Sequence, residues 1–367
     1  MPSRRVLLAV LCFAASAARA QAVLGPTEDA TVAPVGAARF RFATSWQHYN
    51  YGASDSANEV LSYSQLRFTT LSMELGLMRG LSATFVVPEA GNLTTNSWYS
   101  HHGDTLRLDS VVQYSHNGIG DLELGAKFAW LKGPGEQERI ALPGGIHVRS
   151  SLSASYRFTT GTPPSPTDQF GTATGSGRTA ISAASQTDIM IGHVFWLTAA
   201  GRYLWPATVT RDVQVYGDSL TPLGIVSATQ SKGNVWSVEA TPRVVLGRYF
   251  SLGAQYLYLR REASSFVGTR DTTIGGDPVT LDASSLDSLS AGTGQFLAGT
   301  FTYSTVAAYL QGKAGFPIEI SYQYTGTLSA TGSIPKQSAT NTVTFRVWAR
   351  MFGSAFKPAA PAAGAAP

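Results

Sequence analysis

The side chains best suited to chemistry are six histidines. A base beside its nucleophile on one strand face needs a serine two residues from a histidine, because alternate side chains share a face. His48, His101, His102, His116, His147 and His193 are followed two places on by Asn50, Gly103, Asp104, Gly118, Arg149 and Phe195. No such dyad is written along one strand. His101 and His102 are adjacent, so they point apart, and no third ligand accompanies them. Asp271, Asp277, Asp282 and Asp287 crowd one polar stretch, "RDTTIGGDPVTLDASSLDS", without the spacing of a calcium-binding EF-hand. "GTATGSG" at 171–177 marks a loop, not a phosphate cradle between strand and helix. The expectation is a protein without catalytic residues, metal or cofactor.

What remains is charge that alternates with apolar residues. In "HNGIGDLELGAKFAWL", 116–131, Leu122, Leu124, Ala126, Phe128 and Trp130 fall on one face of a strand. Glu123, Gly125, Lys127 and Ala129 fall on the other. Following the polar phase through similar segments collects Arg39, Arg41, Arg67, Lys127, Arg149, Arg157, Arg202, Arg243, Arg346 and Arg350. Its acidic members are Glu74, Glu123, Asp188, Glu239 and Glu319. If this phase lines an interior, low-dielectric walls focus the basic excess, and the lumen favours anions or polarised oxygen atoms. The same charges can instead pair into a structural lattice without selectivity.

Composition limits which elements hold these residues. The chain has 367 residues and 37 glycines, with 14% charged and 44% hydrophobic residues. That charge content is well below the usual soluble domain. Arg4 and Arg5 precede an apolar run from Val6 to Ala18, and Ala18-Arg19-Ala20 offers a cleavage site before Gln21. Residues 1–20 therefore read as a secretory signal peptide, cleaved on export. Its loss removes three arginines and no acid, taking the formal net charge from +4 to +1. A nucleic-acid partner is not implied. The single cysteine, Cys12, leaves with it, so the exported chain rests on backbone pairing and packing.

Beyond the signal peptide, segments of about ten alternating residues are separated by turns, the pattern of a transmembrane β-barrel. Twelve such segments lie near 37–49, 64–78, 81–88, 120–132, 145–159, 181–193, 195–205, 234–247, 249–261, 296–311, 316–327 and 340–352. Residues 104–115 also alternate, so fourteen strands is the alternative count. Short links at 78–80, 193–195 and 247–249 alternate with long polar ones near 50–63, 89–119, 160–180, 206–233, 262–295 and 328–339. The link 133–144 is long for the short side. This asymmetry predicts an antiparallel outer-membrane barrel over 37–352 with both termini periplasmic. Residues 21–36 form an N-terminal periplasmic lead, too short for a large plug, and 353–367 a disordered Pro/Ala-rich tail. Aromatics at strand ends, such as Trp46, Trp130, Tyr203, Trp205, Tyr258 and Phe352, suit two interfacial girdles, with the apolar faces toward lipid. In "LRFTTLSMELGL", 66–77, the apolar phase changes near Thr69–Thr70, which predicts a bulge there.

"GIGDLELGAKF" at 118–128 resembles the Gly-x-Gly-Asp strand start of the phenol-degradation meta-pathway outer-membrane transporter-like family. "SASYRFTTGTPPSPTDQFGTATGSG" at 153–177 is similar to that family's next strand, and "MRGLSATFVVPEA" at 78–90 to its strand ending in proline. Thr159 stands where the family usually has proline. By position, Gly118, Gly120 and Asp121 match the strand start, and Thr160 and Gly161 match a Thr-Gly pair that ends the next strand. These are turn residues, read as structural. The resemblance implies passage of small, often hydrophobic or aromatic, compounds.

The function expected is a passive outer-membrane channel for such molecules, without enzymatic activity. Its partners are outer-membrane lipid, a small-molecule substrate and the barrel-assembly machinery. A closed structural or adhesive barrel with ligand-binding loops is the alternative, and a hydrolase assembled across strands the third reading.

Overall fold

The computed structural model describes residues 29–54, 58–101, 104–106, 112–114, 118–133, 145–163, 165, 174–216, 222–289, 291–332, 334 and 338–351. The expected signal peptide, the tail from 353 and Phe352 lie outside them, as do 134–144 of the long link.

Twelve antiparallel strands close into a barrel: β1 (Ala37–Ser54), β2 (Asn58–Met78), β3 (Leu81–His101), β4 (Glu123–Leu131), β5 (Ile146–Arg157) and β6 (Ala180–Ile191). The second half comprises β7 (Phe195–Pro206), β8 (Val235–Leu246), β9 (Phe250–Arg261), β10 (Gly292–Ser304), β11 (Ile318–Gly332) and β12 (Ser338–Arg350). Each strand pairs with its neighbours in the chain, and β12 returns to β1 from Ala37↔Arg350 to Tyr49↔Ser338. A sheet closed in this way leaves no unpaired edge, which a bilayer requires. The apolar phase faces outward. In β4, Leu124, Phe128 and Trp130 are 47%, 49% and 55% exposed, whereas Lys127 among them is 1% exposed. The chain is thus a membrane wall rather than the inside of a sandwich.

Each expected segment corresponds to one of the twelve strands, with four local differences. β3 runs on to His101, and Asp104–Leu106, Val112–Tyr114 and Gly118–Ile119 fold back onto it. The alternation at 104–115 marks this pairing, not two further barrel strands. The expected bulge at Thr69–Thr70 is absent: the β1–β2 register runs unbroken from Ala38↔Leu75 to Ser54↔Glu59. The ladder between β2 and β3 shifts instead at Leu66/Arg67 and Gly76/Met78. The segment expected at 296–311 ends as a strand at Ser304, and Val306–Leu310 is a helix. Finally, the long connections 206–233 and 262–295 are folded. Val209–Tyr216, Pro222–Ser231 and Ser265–Val267 form a sheet, and Thr269–Ile274 pairs with Asp277–Asp282 ahead of a 3-10 turn, Ala283–Leu289. Val213, Val226, Ala228, Phe266 and Leu281 are the core of this outer unit.

The two rims differ as expected. Gly80, Gly192 and Gly247 close the short turns at φ +84°, +54° and +66°, a region where a Cβ is strained. Aromatic pairs sit at both rims: Tyr249 and Tyr303 stack at 6.0 Å on the short-turn side. Tyr203–Trp205 and Trp236–Tyr258 meet at 4.3 and 5.2 Å on the other.

Candidate transport lumen

The polar phase meets inside the barrel, and its acids are all paired. Arg39 bonds Glu74, Arg149 bonds Asp188 at 2.7 Å, and Arg202 bonds Glu239 at 2.9 Å. Arg346 bonds Glu319 at 2.7 Å, and Arg157 reaches Glu123 at 3.4 Å. Asp188 is fully buried and also accepts from Thr198 at 2.7 Å. Glu239 accepts from Gln255, which in turn is bonded by Gln323. Arg41 stands opposite Arg346 in the ladder. Arg67 is the correction in this set. With the β1–β2 register unbroken, it stands opposite Trp46, on the face away from Glu74. Phe68 takes the inner phase instead, opposite Ser45, so the phase change expected as a bulge is an aromatic turned inward. Arg350 is exposed at the short-turn rim opposite Ala37.

The lead ahead of β1 departs from its expected place outside the barrel. Residues 29–36 pass into the lumen at the short-turn rim. Asp29 takes a hydrogen bond from Arg39 at 3.2 Å, and its carbonyl accepts from Lys127 Nζ at 2.6 Å. The Ala30 amide donates to Asp188 at 3.1 Å and the Ala33 amide to Glu74 at 2.9 Å. Nothing in this short stretch has a period, so periodicity could not reveal it. The helix Val306–Leu310 covers the same rim, packing Val306 and Leu310 on Ala37 and Trp348.

Trp196 sits between these elements, 2% exposed on the polar phase of β7. The guanidiniums of Arg149 and Arg243 lie 5.5 and 5.9 Å from its ring centre, within cation–π range. Trp196, Trp348, Arg243, Glu319, Arg346 and Asp29 line a small cavity of about 30 Å³. A second, of about 20 Å³, shares Arg243, Glu319 and Arg346 and is also lined by Gln255 and Gln323. Above it, the inner phase turns apolar. Val235, Leu257, Leu259 and Phe296 form a buried cluster with Leu204 packed against it, and Ile334 enters from the connection between β11 and β12. The signal for these residues was in the sequence: bulky apolar side chains on the phase that elsewhere is polar.

The glycine-rich positions form a clasp at the long-loop rim. Asp121 accepts from the Gly161 amide at 3.1 Å and from the Ser176 amide and hydroxyl, each at 2.6 Å. Thr160 Oγ1 donates to the Gly120 carbonyl at 3.0 Å and accepts from the Leu122 amide at 2.8 Å. The Gly120 amide donates to the Pro88 carbonyl at 2.7 Å. A Cβ on Gly161 would stand 2.6 Å from Gly175 Cα, and one on Gly118 2.8 Å from Thr174 Cγ2. These residues hold three chain segments together and face no cavity described above. In the outer unit, Asp271, Asp282 and Asp287 each take a different protein donor, Thr280, Ser284 and Phe266. Among the described residues no cluster of three or more metal-ligating side chains is present.

A closed twelve-stranded barrel with an apolar outer face and a polar, partly apolar lumen defines a membrane-spanning β-barrel. No protein-family model and no curated protein matches the chain by sequence. Its fold is that of the COG4313 outer membrane channel from Pseudomonas putida F1, at 13% identity and a TM-score of 0.55, covering 89% of this chain and 100% of that one. The transport unit of the autotransporter AIDA-I from Escherichia coli aligns at 9% identity and TM-score 0.44, covering 92% and 98%. The TodX monoaromatic hydrocarbon channel, as a deltaS2 mutant, aligns at 8% and 0.39, covering 87% and 91%.

Proposed function

We propose that the protein is a passive outer-membrane channel for small apolar or aromatic molecules, with both termini in the periplasm and the signal peptide removed. The observation that carries this reading is the run of apolar side chains on the inner phase. Leu204, Val235, Leu257, Leu259 and Phe296 line the long-loop half of the lumen, where a water channel would keep polar groups. Below them two small cavities share Arg243, Glu319 and Arg346, and one of them reaches Trp196 and Trp348 at the other rim. The paired acids support the same reading, because carboxylates already engaged by arginines offer little to a passing cation. The chain acts by binding and passage, and no step of covalent chemistry is assigned to it.

The test is uptake by liposomes carrying the folded barrel. Benzyl alcohol should enter faster than into protein-free vesicles, and substituting Leu257→Gln or Phe296→Gln should slow it. Uptake equal to that of empty vesicles, or indifferent to both substitutions, would sink the reading in favour of a closed structural barrel.

A further inference from the structure

Two arginines at the long-loop rim have no part in the lumen lattice. Arg178 lies two residues before β6, on the phase of Gln186 and Asp188, and is 3% exposed. It donates to Gln230 and, at 3.4 Å, to the Ala207 carbonyl, while its Nε is buried without a protein acceptor among the described residues. Arg211 stands opposite Ala228 in the outer sheet, so it shares a face with Gln230, which stands opposite Val209. Nε and Nη1 of Arg211 are likewise buried and meet no acceptor among the described residues. Burial and the like charge of Arg211 lower Arg178 to about 10, and burial also lowers Arg211. Folding has therefore brought two guanidiniums together against their repulsion and left three of their donors pointing at no described protein group. Buried cationic donors are costly unless an acceptor meets them.

The position tells what the acceptor is attached to. Arg178 stands at the head of the inner phase of β6, where Ser182 is opposite Leu204, and Leu204 opposite Val235. Arg178 thus stands at the head of the strand next to the one that carries Leu204, and Gln230 ties it to the outer sheet that carries Arg211. We propose that Arg178 and Arg211 form an anion site that takes the carboxylate of a small organic acid whose apolar part lies toward Leu204 and Val235. This rests on the channel reading and narrows its substrates to amphipathic anions. Guanidinium N–H groups suit a planar carboxylate, and Gln230 holds the Arg178 plane in place.

The experiment compares benzoate, benzyl alcohol and inorganic phosphate on the folded full barrel, by titration calorimetry for binding and by liposome uptake. Folding of each variant is checked by heat-modifiable electrophoretic mobility. Benzoate should bind, and Arg178→Gln and Arg211→Gln should each weaken it by roughly tenfold, the loss expected of one charge-assisted bond. Arg211→Gln is the stronger test, because Arg211 gives no hydrogen bond among the described residues that the fold would lose. It should leave the ligand-free barrel as stable as before or more so. Benzyl alcohol uptake should be untouched in both variants. Should Arg178→Gln fail to fold, Arg211→Gln alone decides. Benzoate affinity unchanged in the folded variants would overturn the site, and phosphate binding more tightly than benzoate would overturn its assignment to an organic acid. If benzoate binds through these arginines while benzyl alcohol does not enter, the site stands and the channel reading falls. If benzyl alcohol enters and benzoate does not bind, the channel reading stands and the site falls.

Discussion

Asp188→Asn tests whether the inner lattice also holds the lumen closed. The side chain is fully buried, with Oδ2 taking hydrogen bonds from Arg149 Nε at 2.7 Å and from the Ala30 amide at 3.1 Å. Its Oδ1 takes the Thr198 hydroxyl at 2.7 Å. Asparagine keeps the volume, but it removes the charge and turns one acceptor atom into a donor facing donors. Breaking one side of a buried ion pair costs about 3–5 kcal/mol, because the remaining charge is left uncompensated. Arg149 lies over Trp196, and that contact offsets only a part, about 1–2 kcal/mol when desolvated. Urea unfolding in lipid vesicles, followed by tryptophan fluorescence, should therefore show a loss of roughly 2–4 kcal/mol. The same substitution frees the Ala30 amide, so amide exchange over 29–36 should quicken. Adding Arg149→Gln should recover part of the loss, with a coupling of about 1.5 kcal/mol or more between the two positions. Stability within about 0.5 kcal/mol of the parent would refute the claim that this pair is structurally coupled. Unchanged protection of 29–36 would refute its role in holding the lead.

Deleting 29–34 should raise single-channel conductance in a planar bilayer, since these residues fill the lumen beside Lys127 and Glu74; an unchanged current would place the constriction elsewhere. Asp121→Ala removes the acceptor for Gly161 and Ser176 and should cost about 1–3 kcal/mol, with faster protease cutting near 174–178 and no change in ion selectivity. Benzoate binding should have a basic limit. Arg178 is lowered to about 10, so its guanidinium is charged below that pH and loses its proton above it. Affinity should be level below about pH 9 and fall as the pH rises past 10, with Arg211 as the like charge beside it and Gln230 not titrating. A fall toward acid instead would assign the ligand to another group.

The strands were legible because both faces of a barrel wall are specified by solvent: lipid outside, polar or apolar lumen inside. A period of two is then written into every crossing, and Leu124, Phe128 and Trp130 show it without ambiguity. The errors fall where that specification lapses. Phe68 is apolar on the inner phase, so the sequence around it looks shifted although the register is continuous. Val306–Leu310 has alternate buried residues, yet a helical turn places Val306 and Leu310 on one side as well. Alternation alone does not separate the two over five residues. The five acids and their arginine partners share the polar phase that the sequence shows, whereas Arg67 and Arg350 stand apart from that lattice. Which charge pairs with which was not legible, because pairing depends on register between strands. The lead at 29–36 carried no signal, since single amides bonded to side chains impose no period. Arg178 and Arg211 were hidden for a related reason: they belong to connections, and only the folded outer unit brings them near each other.

The way the lumen is closed also bears on how it opens. A wall strand is held by a ladder of backbone bonds to two neighbours, whereas Asp29–Pro34 is held chiefly by side chains already engaged with one another. Glu74 and Asp188 bond Arg39 and Arg149 whether or not the Ala33 and Ala30 amides are present. Departure of the lead thus costs those acids one donor each and leaves the ion pairs standing. Asp29 is the exception, because Arg39 and Lys127 lose an oxygen when it leaves. The helix Val306–Leu310 is fixed differently, by apolar contact with Ala37 and Trp348, and has no such ready substitute for what it would lose. The short-turn rim therefore carries two closures of unequal strength. The weaker one is the lead, which touches two acids, Glu74 and Asp188, and two bases, Arg39 and Lys127.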